Sequence, residues 1–88
     1  MDDEKLIVQK VVEMLVAVRA LRDKHGSNRK FEAGLIEQIK LVGYTAHYFG
    51  GYDAMSQLYS EVDSAAPRGD DLGSILDKTW HGIGTWLS

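Results

Sequence analysis

Histidine is the first residue type to examine for chemistry, because imidazole titrates near neutral pH and is a common metal ligand. The chain contains His25, His47 and His81. His25 follows the last apolar residues of a helical pattern, and His47 has no acidic residue three or four positions away. Asp77 and His81 have the i, i+4 spacing of a helix-surface pair, and two ligands are too few for a closed zinc site. The sequence therefore predicts neither a metal site nor a cofactor.

A basic segment, residues 19–30, is a candidate for binding anions. It holds half of the chain's ten Lys and Arg residues, with Asp23 as its one acid. Guanidinium and ammonium groups bind phosphate and carboxylate oxygens, or they complement the negative end of a helix dipole. The candidate anion contacts are Arg19, Arg22, Arg29 and Lys30.

A third candidate is polar and aromatic. Tyr44, His47, Tyr48 and Tyr52 follow one another closely in the sequence. Such a cluster could hydrogen-bond a small ligand, or the tyrosines could bury their rings and leave their hydroxyls at the rim. His47 would then be an ordinary residue at the boundary of the core.

The signatures of several enzyme classes are missing from the sequence. There is no nucleophile elbow, no glycine-rich phosphate loop and no close pair of carboxylates. Without cysteine there is no thiolate nucleophile either. We therefore expect no catalytic activity.

Composition predicts one globular domain over residues 1–88, since 44% of the residues are apolar and 26% are charged. The formal net charge is −3. The lack of disulfides, the acidic N-terminus and the absence of an apolar run of about 18 residues predict a soluble cytoplasmic protein without a membrane span.

The apolar periodicity predicts an all-α fold, with helices at residues 3–24, 30–49, 52–65 and 71–86. Glycine or proline occurs in each connection. Short connections favour antiparallel neighbours, so we expect a small four-helix bundle. Glycines could release the tail from Gly82 onward from the last helix.

The second predicted helix is the one around which the others are arranged. An apolar stripe on it, Leu35, Ile39, Val42, Ala46 and Phe49, has helical spacing, and Gly43 beside it indicates a close helix crossing. Leu41, Tyr44 and Tyr48 fall on a different face of the same helix.

These helices carry more apolar surface than one central seam of a small bundle covers. Either an apolar row on the first helix, Val8, Val12 and Leu15, or the face of the second that carries Leu41, Tyr44 and Tyr48 is expected near the surface. Trp80 and Trp86 stand about 120° apart on a helix, so one is expected in the core and the other at a contact. Exposed apolar patches usually mark interfaces, and a two-fold homodimer is the simplest way to cover them. The candidate interface residues are Val8, Val12, Leu15, Leu41, Tyr44, His47, Tyr48 and Trp86.

The predicted function is that of a small helical protein–protein interaction module that associates with itself. The alternative is a regulatory binder of a small ligand or nucleic acid, through residues 19–30 and the Tyr44/His47 region. DNA reading in the helix-turn-helix manner is disfavoured, because residues 52–65, which would form the recognition helix, contain three acids and no Lys or Arg.

Overall fold

The computed structural model describes residues 2–23, 29–67 and 71–87. Within these ranges the chain forms three helices and no strand: α1 at Asp2–Asp23, α2 at Arg29–Ala65 and α3 at Leu72–Trp80. The predicted all-α class is confirmed. The predicted four-helix bundle is wrong, because two of the four predicted helices are parts of α2.

The error lies at Gly50-Gly51, where a turn between two helices was expected. Only Gly51 leaves helical geometry, with φ 68° and ψ −154°, which glycine adopts readily because it lacks a Cβ atom. A straight helix of 37 residues would be about 55 Å long, whereas the longest dimension of the chain is 38 Å. The helix therefore bends strongly at Gly51. We call residues 29–50 its proximal limb and residues 52–65 its distal limb.

The last predicted helix, residues 71–86, is also shorter in the structure, since α3 ends at Trp80. Residues 81–87, here called the C-terminal strap, form turns in which Gly82 and Gly84 have φ values of 92° and 58°. The strap is closed by a hydrogen bond of 2.8 Å from the Gly82 backbone N–H to the Trp86 carbonyl. Positive φ at two glycines is incompatible with a continuing right-handed helix.

The core is built from all three helices and the strap. On α1 the buried residues are Val8, Val11, Leu15 and Val18, and the helix packs against both α2 and α3. This two-sided packing covers much of the apolar surface of α1 within one chain. The buried apolar residues are Val8, Val11, Leu15, Val18, Ile39, Met55, Val62, Leu72, Ile75, Leu76, Trp80, Ile83 and Trp86.

None of the helices in the described ranges is long and apolar enough to cross a lipid bilayer.

Candidate interaction surface

The most exposed apolar surface of the proximal limb is formed by Leu41, Tyr44, Tyr48 and Phe49, which we call the aromatic face. These residues are 61%, 52%, 81% and 80% exposed. Leu41, Tyr44 and Tyr48 recur at steps of three and four, which places them on one side of a helix. Large apolar side chains exposed to this degree next to one another are typical of interaction surfaces.

The side chains of this region form a shallow depression of about 500 Å³. It is lined by Tyr44, Thr45, His47, Tyr48 and Phe49. The rings of Tyr48 and Phe49 meet edge to face, with centroids 5.1 Å apart. The Thr45 hydroxyl donates a hydrogen bond of 2.9 Å to the Leu41 carbonyl, so this polar group already has a partner within the helix. The lining contains no Asp, Glu, Lys or Arg.

The opposite side of the proximal limb is fixed by Trp80. Its indole N–H donates a hydrogen bond of 3.0 Å to the Ile39 carbonyl. A Cβ atom added at Gly43 would lie 2.5 Å from Trp80 Nε1, so the ring rests directly on the helix backbone. The close approach predicted at Gly43 is therefore present, with the indole ring as the neighbour. This contact sets the rotation of the limb and turns the aromatic face outward.

His47 lies half-buried at the edge of the aromatic face. Its ring packs against Gly84 of the C-terminal strap. Tyr52, which the sequence grouped with His47, lies past the kink, and its ring contacts Trp86 with centroids 5.4 Å apart. The structure thus brings Tyr44, His47 and Tyr48 around one depression and assigns Tyr52 to a different contact.

Four of the candidate interface residues belong to the interior instead. Val8 and Leu15 are buried in the core, and Val12 is half-buried against it. Their expected surface position is wrong because two elements of the same chain cover α1. Trp86 is 7% exposed and is held by aromatic neighbours, so both tryptophans are core residues. The candidates that share the exposed surface are Leu41, Tyr44, Tyr48 and, at its edge, His47.

Sequence reasoning placed Phe49 in the apolar stripe of the core, yet its side chain is almost fully exposed. Phe49 lies about 80° from Ile39 on a helical wheel, at the margin of the stripe, and the chain bends two residues later. Its position directly beside Tyr48 was the available signal that it could join the other face. On α1, Ile7 has the helical spacing of an apolar row with Val11 and Val18, yet it is exposed, as are Leu6 and Val16, which belong to no predicted row.

The candidate anion contacts are partly neutralised within the chain. Arg22 Nε lies 2.9 Å from Glu32 Oε2, which joins the end of α1 to the start of α2. Arg19 Nε lies 3.7 Å from Asp23 Oδ2. Arg29 and Lys30 are exposed in the first turn of α2. His25, and the rest of residues 24–28, fall outside the described residues.

A polar cleft of about 500 Å³ lies where α2 meets α3, and its lining includes Tyr59, Asp63, Asp71 and Ser74. The Tyr59 hydroxyl donates a hydrogen bond of 3.1 Å to the Gly73 carbonyl. Burial, and then the negative charges of Asp77, Asp63 and Asp71, raise the pKa of Tyr59. The hydroxyl therefore remains a protonated donor at neutral pH, and its main role is to join the distal limb to α3.

Asp77, which has i, i+4 spacing to His81, also contacts the C-terminal strap. Asp77 Oδ1 accepts a hydrogen bond of 2.9 Å from the Trp86 indole N–H. Over the described part of the chain, no three His, Asp or Glu side chains come together in a way that could hold a metal ion.

Comparison of the chain with protein-family models, with curated proteins and with solved structures finds no match in any of the three. Its function must be argued from the geometry of this surface.

Proposed function

We propose that this protein is a small helical interaction module without catalytic activity, and that it pairs with a second copy of itself through the aromatic face of α2. The observation that carries this proposal is the outward exposure of Leu41, Tyr44, Tyr48 and Phe49 on a limb whose rotation is fixed from the other side by Trp80. The surface is therefore preorganised, and pairing requires little reordering of the backbone.

The exposed aromatic rings of this surface supply about half of the area that a standard interface takes from each partner. A fully buried aromatic side chain removes about 150–250 Å² from water, so the exposed parts of Tyr44, Tyr48 and Phe49 together offer about 400 Å². Patches of a few hundred Å² are at the upper end for soluble monomers. A standard interface takes about 800 Å² from each partner, and Leu41 with the rim residues would supply part of the remainder.

A second copy is the partner that the chemistry of this surface fits best. In a two-fold dimer the same patch lies on both sides of the axis, so it must tolerate contact with itself. The lining of the depression carries no Asp, Glu, Lys or Arg, so a two-fold contact centred on it places no such charge at the centre of the interface. Tyrosine and phenylalanine are also among the residues enriched at interfaces.

We further propose that the protein works in the cytoplasm, since the chain has no cysteine with which to form a disulfide in an oxidising compartment.

A matched pair of charge substitutions tests this proposal. Tyr48→Glu places a carboxylate at the centre of the aromatic face, whereas Val16→Glu places one at an exposed apolar position of α1. Light scattering on a sizing column should show a dimer for the parent and for Val16→Glu, and a monomer for Tyr48→Glu. Circular dichroism should show equal helicity for all three proteins.

A dimer that survives Tyr48→Glu and dissociates with Val16→Glu would move the interface to α1. A parent protein that elutes as a monomer at every concentration would rule out self-association.

A further inference from the structure

The angle between the two limbs of α2 is not fixed by the residue at the kink. Gly51 has a positive φ that glycine adopts at little cost, and a Cβ atom added there would meet nothing within 4 Å. No described side chain therefore occupies the position where a Cβ atom of residue 51 would lie. A Cβ atom added at Gly50 would lie 2.6 Å from the Cβ of Ala54 across the kink, and contacts of the two limbs with the rest of the chain add to this one in setting the angle.

Two tryptophans supply such contacts, one to each limb. Trp80, the last residue of α3, packs on the proximal limb: its indole N–H donates a hydrogen bond to the Ile39 carbonyl, and its ring contacts Gly43. Trp86 lies on the distal limb, where its ring contacts those of Tyr52 and Tyr59, each with centroids 5.4 Å apart.

The two tryptophans also contact each other, which makes the connection continuous across the kink. Their rings meet edge to face, with centroids 5.4 Å apart and an interplanar angle of 85°. The hydrogen bond from Trp86 Nε1 to Asp77 Oδ1 anchors the second ring to α3. Gly84 adds a contact from the strap back to His47 on the proximal limb.

We propose that the C-terminal strap is a brace that sets the angle between the limbs of α2, and that release of Trp86 allows the limbs to reorient about Gly51. The turns of the strap are closed by its own hydrogen bonds, from Gly82 N–H to the Trp86 carbonyl and from Trp86 N–H to the Ile83 carbonyl. Buried Ile83 and its hydrogen bond of 3.0 Å to the Trp80 carbonyl keep the start of the strap on α3 when Trp86 detaches. On the distal limb the strap packs against the rings of Tyr52 and Tyr59 through Trp86.

Release of the strap would also change the neighbourhood of the aromatic face, a consequence that rests on the proposed function. In the structure the ring of Trp86 packs against the ring of Tyr52. Tyr52 is three residues after Phe49, the last residue of the aromatic face, and is half exposed. Freed from this contact, Tyr52 would become available to extend that face.

The absence of cysteine allows a direct measurement of the angle. Ala33 on the proximal limb and Ser60 on the distal limb are exposed, and cysteines placed there would be the only sites for spin labels. In a straight helix these positions would lie about 40 Å apart. Double electron–electron resonance on labelled protein, diluted into a large excess of unlabelled protein, reports the distance within one chain.

The labelled parent should show one narrow distribution of distances, shorter than the straight-helix value. Trp86→Ala should broaden the distribution and shift it to longer distances. Asp77→Ala keeps the indole ring and removes its acceptor, so a smaller shift in the same direction is expected. Leu87→Ala, at an exposed position of the strap, is the control that should leave the distribution unchanged.

The proposal is overturned if Trp86→Ala and Asp77→Ala both retain the narrow parental distribution. Should Trp86→Ala lose its helicity, Asp77→Ala decides, and an unchanged distribution in that variant has the same meaning. Because the labelled chains are diluted, the outcome does not depend on whether the protein forms dimers. Failure of self-association would instead be seen in the mass of the parent.

Discussion

Two groups of aromatic residues in this chain have opposite environments. Tyr44, Tyr48 and Phe49 are exposed on the proximal limb, whereas Trp80 and Trp86 are buried between the limbs and α3. In the buried group each indole N–H has an acceptor, the Ile39 carbonyl or the Asp77 carboxylate. A buried ring with a polar atom needs such a partner, and the chain provides one for each tryptophan.

We expect this difference to separate the residues that stabilise the fold from those that we propose for self-association. The buried rings join α2, α3 and the strap, so substitutions there should lower the free energy of unfolding. The exposed rings make few contacts within the chain, so substitutions there should change association and leave the fold intact.

The largest effect is expected for Trp80→Ala. The variant loses a fully buried ring and leaves a cavity, which costs about 3–5 kcal/mol in the free energy of unfolding. Urea unfolding followed by circular dichroism measures this cost. A loss below about 1 kcal/mol would show that the buried cluster is not the centre of stability.

Gly43→Leu should come next, because the added side chain would have to displace the ring of Trp80. Overpacking of this kind costs about 1–3 kcal/mol, which outweighs the gain of about 1 kcal/mol in helix propensity. Thermal unfolding of the variant and the parent gives the comparison. Gly34→Leu is the matched control, since a Cβ atom at Gly34 meets nothing within 4 Å. Equal stability of Gly43→Leu and the parent would contradict the observed contact.

Tyr59→Phe should cost about 1 kcal/mol at neutral pH, since it removes the hydrogen bond to the Gly73 carbonyl. The raised pKa of Tyr59 adds a pH dependence of known sign. Above the ordinary value of 10.0 the unfolded chain loses this proton while the folded chain retains it, so the parent loses stability as the pH rises toward the folded-state pKa. The variant lacks this loss. The stability gap between the two proteins should therefore narrow above pH 10.0, and a gap that widens there would contradict the assignment.

The smallest effect is expected when Arg22, Arg29 and Lys30 are changed together to Gln. These residues are exposed, and the Arg22–Glu32 ion pair is a surface pair worth under about 1 kcal/mol. The melting temperature should be nearly unchanged. Failure of the triple variant to fold would show that the basic group belongs to a structural network.

Local patterns in the sequence were enough to predict the all-α class and several helix ends. The predicted first helix, residues 3–24, starts one residue after the observed start of α1 at Asp2, and its predicted end lies outside the described residues. The distal limb ends at residue 65 as predicted. Apolar periodicity and helix-stop residues act over a few positions, so they can be read without tertiary information.

The errors occur where contacts distant in the sequence decide the conformation. Gly50-Gly51 is compatible with a turn or with a kink, and the contacts of Trp80 and Trp86 with the two limbs favour the kink. Likewise, the positions of Val8 and Leu15 on a helical wheel do not reveal that two neighbours cover α1. Which aromatic rings remain exposed depends on these same contacts, so the candidate surface could be predicted only in part.

We propose that the aromatic face pairs two copies of the chain, and the mass of the unmodified protein tests this pairing most directly. Sedimentation equilibrium over a range of micromolar concentrations should give a mass that rises from near the chain value of 9.8 kDa toward twice that value. A mass that stays at 9.8 kDa as the concentration is raised would contradict the claim.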